Sequence, residues 1–292
     1  MHRYILHNDE IREAAEECIS PGQVGMLSGW GVFSTLRVAR GVLFAYERHY
    51  ARMRRDAVLM RVPFPADPAF IEQRLLRLRE ANALSDATLR VAVVRNKGGI
   101  WQGPGVERDF DLIGLTTDLN QWGEGVRLSV VPQARHAESR FAGTKILSWA
   151  ANLTWYEEAQ EQGFDEAVLL NERGEVSECT SANIFITEGR NVWTPPLSSG
   201  CLPGVTRDLL LTEVRADGIR VAERPLSLED LERADEVFIT STTRNLLPVL
   251  EIEGLKVRRN GHACAALNTA FVEYIDRYVR SKVDLDRATV LA

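Results

Sequence analysis

Lysine is scarce in this 292-residue chain. Of 35 basic residues only Lys97, Lys145, Lys256 and Lys282 are lysines, so each one invites inspection. Basic charge is not in excess either. Acidic residues number 41 and the formal net charge is −6. A nucleic-acid binder needs a basic face for phosphate contacts, and that class is excluded. No apolar run approaches the ~20 residues of a membrane helix. The N-terminal stretch MHRYILHNDEIREAAEE is too charged for a signal peptide. A cytoplasmic protein without membrane contact is expected. Cysteine is limited to Cys18, Cys179, Cys201 and Cys264, with no CxxC pair. That pattern offers no zinc site and no disulfide framework, and free, mostly buried thiols suit a reducing compartment. His2, His7, His49, His136 and His262 show no metal-ligand spacing, so no metal is expected. Walker A, HExxH and GxSxG motifs are absent.

What is there is an ordinary globular composition, 45% hydrophobic and 26% charged, enough for a large domain or two. GVFSTLRVARGVLFAY alternates around an Arg-Gly turn and predicts a hairpin. ERHYARMRRDAVLM carries Tyr50, Met53, Ala57 and Met60 at helical spacing. A second helix starts at Asp67-Pro68, and ATLRVAVVRN and DFDLIGLTTDL read as strands. This predicts a small α+β domain over 1–118 and a linker, 119–125, around NQWGEG. A larger domain over 126–292 follows. Its expected elements are a strand VRLSVVPQA, a helix over 148–163 with Trp149, Leu153 and Tyr156 on one face, and strands DEAVLLN, VSECTSANIFIT and RNVWTPP. Then come a helix over 204–218, a strand ADEVFITSTT ending in hydroxyls, and a final helix ALNTAFVEYIDRYVRS.

Two charges sit where charge is costly. Lys145 lies in FAGTKILSWAANL, amid apolar residues. Such an amine is paired, neutralised or used covalently, and when desolvated it is a good nucleophile toward carbonyls. The competing reading is a packed stem with its head in water. Glu178 sits inside the strand VSECTSANIFIT and needs a cationic partner, either an arginine or a protonated ring nitrogen. Pyridoxal phosphate meets both demands, with an aldehyde for the lysine and a pyridine nitrogen for the acid. Three places could cradle its phosphate. Val205 and Thr206 begin a helix, where free N–H groups attract anions. Ser241 and Thr242 close a strand. Arg52 lies on a helix three residues after His49, on the same face, and arginine is a natural phosphate fork.

The segments GVFSTLRV, ERHYARMRR, RFAGTK, GFDEAVLLNERGEVSECTSANIF, CLPGVTRD and ADEVFITSTTRNLLPV together resemble the class IV, fold-type IV pyridoxal-phosphate aminotransferases. That family includes branched-chain and D-amino-acid aminotransferases and 4-amino-4-deoxychorismate lyases. The resemblance covers most of residues 29–250. It implies a two-domain α+β enzyme whose larger domain is β-barrel-like with helices, an active site between the domains, and a homodimer. It implies that Lys145 carries the internal aldimine, that Glu178 pairs with the pyridine nitrogen, and that Leu202 packs on the ring. Arg52, Val205, Thr206, Ser241 and Thr242 match the phosphate positions.

Substrate residues are less determined. Trp30, Thr35, Arg95 and Thr243 are candidates. Arg95 matches a carboxylate-binding arginine of the D-amino-acid enzymes, and it also reads as a surface arginine. Ser148 stands where the family usually has asparagine. The leading expectation is amino-group transfer between an amino acid or amine and a 2-oxo acid. RFAGTK and VVRNKGGIWQGPG resemble the lyase branch instead, which would release pyruvate from aminodeoxychorismate. A non-catalytic protein on the same fold is the third reading.

Overall fold

The computed structural model describes residues 1–16, 19–20 and 22–290, with side chains described as far as Leu285. Cys18 lies outside the described residues. By packing, the chain divides into two units. The first comprises Met1–Asn120, Lys145–Trp149 and the chain from Ile275; the second comprises Gln121–Thr144 and Ala150–Tyr274.

The first unit holds β1 (Tyr4–His7), β2 (Glu10–Glu13), α1 (Val24–Ser28), β3 (Gly31–Ala39), β4 (Val42–Leu43), α2 (Tyr46–Leu59), α3 (Pro68–Ala81), β5 (Ala87–Arg95) and β6 (Phe110–Thr117). Its six strands form an antiparallel sheet in the order β2-β1-β6-β5-β3-β4. The predicted hairpin turns at Arg40 and Gly41, both at positive φ, as a two-residue turn between twisted strands requires. Asp67 caps α3 by accepting the Ala69 N–H at 2.9 Å, with Pro68 in the first helical position. Strand alternation sorts the faces of β5. Ala87, Leu89, Val91 and Val93 are buried with Tyr50, Met53, Ala57, Ile71, Leu75 and Leu78 of the two helices. Thr88, Arg90, Ala92 and Val94 therefore point to the opposite face. The hairpin β1–β2 was not foreseen; the local charge of NDEIRE hides its alternation.

The second unit holds β7 (Val126–Arg135), α4 (Ala150–Glu161), β8 (Glu166–Asn171), β9 (Val176–Cys179), β10 (Asn183–Glu188), β11 (Asn191–Thr194), α5 (Val205–Thr212), β12 (Arg220–Glu223), α6 (Leu228–Arg233), β13 (Glu236–Ser241) and β14 (Asn245–Ile252); α7 (Ala263–Val290) begins in it. The eight strands run β12-β11-β10-β13-β14-β7-β8-β9, parallel at β11–β12, β14–β7 and β7–β8. The sheet curls, so β9 comes against β10 and the Cys179 N–H donates to Ala182 O at 2.8 Å.

Three expectations are corrected. The strand over 176–187 is two strands. At the break, Thr180–Ala182, buried Glu166 accepts the Ser181 N–H, which is thereby diverted from the ladder, and the Thr180 and Ser181 hydroxyls bond to the same carboxylate. The helix over 204–218 stops at Thr212, where Leu209 O takes both the Glu213 and the Val214 N–H groups. Finally, α4 begins at Ala150, so Trp149 precedes the helix rather than sharing its face. No helix of the described residues is long and apolar enough to cross a membrane.

Candidate active site

Helix α2 carries His49, Arg52 and Asp56 at a spacing of three and seven residues, which aligns them on one face. That face meets β3. Arg52 Nη2 donates to Ser34 Oγ at 2.8 Å, and the same oxygen lies 2.8 Å from His49 Nδ1. Ser34 and His49 are both buried. Burial holds the His49 pKa well below its ordinary value, and the charges of Arg52 and Lys145 push it the same way. The ring is therefore neutral near pH 7 and can accept the Ser34 proton at Nδ1. Burial lowers the Arg52 pKa to about 10, with Asp56 opposing.

Asp56 was not singled out from sequence, yet it grips the candidate lysine. Its carboxylate is fully buried; Oδ1 accepts Arg55 Nε at 2.8 Å, and Oδ2 accepts the backbone N–H of Lys145 at 3.0 Å. Residues 145–147 also add to the edge of β3. Phe33 N–H donates to Lys145 O at 3.1 Å, Leu147 N–H donates to Gly31 O at 3.0 Å, and Ile146 bridges to Val32. The Lys145 main chain is thus fixed on both sides. Its ammonium nitrogen lies 4.6 Å from the Phe33 ring centroid and 5.8 Å from that of Trp149. The two rings meet edge to face at 6.1 Å. Lys145 lies among aromatic rings, as its apolar sequence context suggested.

Ser148, the departure from the expected asparagine, bonds to Ser28 O and Gly29 O at 3.2 and 3.1 Å. Gly29 has φ +57°, and a Cβ there would lie 2.6 Å from Ser148 Oγ, so glycine is required on both counts. Trp30 packs against the core of the first unit and donates its indole N–H to Met60 O at 2.8 Å. Arg95 stacks on the Trp30 ring at 4.0 Å and donates to Lys97 O at 2.7 Å and Arg61 O at 2.6 Å. Thr35 sits opposite Arg90 across the β3–β5 ladder.

In the second unit, Glu178 is 8% exposed. Its Oε1 accepts Arg135 Nε at 2.9 Å and its Oε2 accepts the Leu202 N–H at 3.0 Å. Arg135 was not foreseen. It stands at the end of β7, donates also to Asn152 Oδ1 at 3.2 Å, and orients the carboxylate. The arginine partner weighed for Glu178 is therefore present. Two carboxylate oxygens offer about four lone-pair sites, so accepting capacity remains.

Leu202 O accepts the Asn183 Nδ2–H and the Gly204 N–H, each at 2.8 Å. A Cβ on Gly204 would fall 2.0 Å from Asn183 Oδ1, so only glycine brings the chain this close to β10. Val205 and Thr206 then open α5, whose N-terminus has no side-chain cap. Thr206 Oγ1 is buried without a partner. Helix α5 packs on β13, at whose end Ser241 pairs with Asn245 across the tight turn of Thr242, Thr243 and Arg244. Arg244 anchors that turn through a buried ion pair with Glu166 and a 2.9 Å bond to Ser181 Oγ. Cys179, Cys201 and Cys264 are free and buried. Burial pushes the Cys201 and Cys264 thiols up to about 12 and the Cys179 thiol in the same direction, so these are poor nucleophiles. Among the described residues no cluster of His, Cys, Asp or Glu could hold a metal ion.

Known proteins are similar to this chain over most of its length. The Amino-transferase class IV model matches residues 31–252. A putative branched-chain-amino-acid aminotransferase of Methanocaldococcus jannaschii is 33% identical over 86% of this chain and 88% of its own. A D-alanine aminotransferase of Bacillus licheniformis is 27% identical over the same shares, 86% and 88%. The solved branched-chain amino acid aminotransferase of Escherichia coli superposes with a TM-score of 0.83 at 25% identity, covering 93% of this chain and 94% of that one. With the model spanning most of its length, the chain belongs to the class IV aminotransferases, a family of pyridoxal-phosphate enzymes.

Proposed function

We propose that this protein binds pyridoxal 5′-phosphate and moves an amino group between an amino acid or amine and a 2-oxo acid. The observation that carries the reading is Lys145. Its main chain is pinned by Asp56 and the β3 edge while its amine sits against Phe33 and Trp149. Such an amine springs from a fixed stretch of main chain and lies beside two aromatic rings, a placement that suits covalent use.

The residues fit the cofactor. Thr206 has a buried hydroxyl lacking a partner at an uncapped helix start, a donor set suited to a phosphate. Val205, Ser241, Thr242 and Arg52 would complete that hold. Glu178 would take the pyridine nitrogen while Arg135 and the Leu202 N–H fix its orientation. Leu202 would pack on the ring. When bound, pyridoxal phosphate supplies an aldehyde for the substrate amine and an electron-accepting ring. The Lys145 amine would act as the base that takes the proton from the substrate Cα, and in the reverse half-reaction it would return a proton there. Thr35, Trp30, Arg95 and Thr243 remain candidates for contact with the substrate.

Spectra of the purified holoprotein mixed with L-amino acids, D-amino acids and a chiral amine test the reading. At least one donor converts the bound cofactor to its amine form. Release of pyruvate from aminodeoxychorismate with no conversion by any donor would instead select the lyase. We also propose a cytoplasmic homodimer. Ile100 and Trp101 are 89% and 75% exposed in the first unit and suit burial against a second copy. Sedimentation at twice the 32.7 kDa chain mass is the expected result, and a monomer contradicts it.

A further inference from the structure

We infer that the buried ion pair of Arg244 and Glu166 is a positioning element for the cofactor's phosphate. It locks the turn of Thr242, Thr243 and Arg244 onto the neighbouring turn of Thr180–Ala182 and so holds the donors of Ser241 and Thr242 in place. The inference deepens the cofactor reading proposed above and rests on it.

The two turns lie side by side at one end of the curled sheet. Asn183, the first residue of β10, pairs with Thr240 of β13, which sets the turn before β10 beside the turn after β13. Glu166 opens β8 and is fully buried. Its Oε1 accepts the Thr180 and Ser181 hydroxyls, each at 2.9 Å, and the Ser181 N–H. Its Oε2 accepts Arg244 Nη1. Arg244 Nη2 donates to Ser181 Oγ at 2.9 Å, so one guanidinium fork spans the acid and a hydroxyl that the acid holds. The Arg244 Cζ lies 4.1 Å from the Trp122 ring centroid, and the Arg244 side chain is only 6% exposed.

Arg244 also shapes the turn through its main chain. Its N–H donates to Ser241 O at 3.2 Å, and Asn245 follows at φ +58°, the left-handed residue that a three-residue hairpin turn calls for. The residue that closes the turn therefore pins it as well. Stability alone is a poor reason for such a pair, because two buried charges give up their hydration and an apolar pair of equal volume packs as well. A planar fork on fixed acceptors supplies a fixed place instead. Place matters here because α5, whose uncapped start holds the unpartnered Thr206 hydroxyl, packs on β13. Donors bond a phosphate only within about 3.2 Å, so the turn and the helix start must keep their spacing.

Cofactor-free protein is titrated with pyridoxal phosphate and with pyridoxal, which keeps the ring and aldehyde but has no phosphate. Absorbance of the bound cofactor gives both dissociation constants. Arg244→Met is expected to weaken pyridoxal phosphate by about 10- to 100-fold, the range of a charge-assisted hydrogen bond, and pyridoxal by less than about threefold. Arg244→Lys keeps the charge without the fork and should recover part of the loss. Arg244→Met leaves a buried carboxylate without its cation, so its melting temperature should fall. The double variant Glu166→Gln/Arg244→Met removes both charges and should regain melting temperature without regaining preference for the phosphate. An unchanged preference in Arg244→Met, an equal loss for both compounds, or a preference restored along with melting temperature in the double variant would overturn the assignment. So would a parent protein that binds no pyridoxal phosphate. Loss of the preference in Arg244→Met, in a protein whose parent form converts the cofactor with no amino donor, would uphold the pair and sink the amino-transfer reading instead.

Discussion

The two units hold their candidate residues in different settings. The six-stranded unit carries Lys145 and Arg52, with the buried carboxylate of Asp56 on the Lys145 N–H. The eight-stranded unit carries Glu178 with Arg135, together with the uncapped start of α5 and the hydroxyls at the end of β13. Support differs too. In the first unit, side chains hold a backbone, as Asp56 holds the Lys145 N–H. In the second, backbone and side chain hold a carboxylate, as Leu202 and Arg135 hold Glu178. The lesson is that substitutions in the first unit should damage placement of the amine, and substitutions in the second should damage the electronics of the ring.

The sharpest way to break this contrast is Lys145→Ala. Turnover should fall by about 10⁴-fold or more while the melting temperature of the cofactor-free protein holds, as differential scanning fluorimetry would check. Activity near the parent level removes the lysine from the chemistry. Next comes Glu178→Gln, expected to keep cofactor binding but lower kcat by about 100-fold, since an aligned charge in a buried site is worth that much. Parent-like kcat with loss of fold alone would make Glu178 a structural partner of Arg135 and nothing more.

Asp56→Ala should lower unfolding free energy by about 1–3 kcal/mol, because the Lys145 N–H and Arg55 lose a buried acceptor. Asp56→Asn keeps an acceptor and should keep most of the activity. Equal stability of all three proteins in urea titrations would contradict the grip. The smallest effect is one of pH. The His49 pKa is depressed in the folded state, so above its unfolded value of about 6.5 both states carry a neutral ring and nothing changes. Below about pH 6.5 the unfolded chain takes up a proton that the folded chain refuses, and stability falls as pH falls, by up to about 1.4 kcal/mol per pH unit. His49→Gln should flatten that part of the urea-midpoint profile relative to the parent, and an identical slope would contradict the assignment.

Much of the first unit was legible because its signals are local. The Arg-Gly turn, the Asp67-Pro68 cap and the alternation of β5 each act within a few residues. Lys145 and Glu178 stood out because a charge amid apolar residues demands an explanation wherever the chain goes. Long-range partners left no such trace. Asp56 is 89 residues from Lys145 and Arg135 is 43 from Glu178, and only folding brings each pair to bonding distance. Asp56 did carry a weak signal, sharing a helix face with His49 and Arg52. The break after Cys179 was hidden because Glu166, the acid that bonds to it, lies on another strand. Membership of Lys145–Trp149 and the C-terminal residues in the first unit is likewise a property of packing.

Scarcity of lysine makes one measurement unusually decisive. Borohydride reduction of the yellow holoprotein, followed by peptide mass spectrometry, fixes the cofactor on whichever lysine holds it, and there are four to choose from. A phosphopyridoxyl mass on Lys145 alone is the predicted result. The same mass on Lys97, Lys256 or Lys282 with Lys145 unmodified would contradict the account.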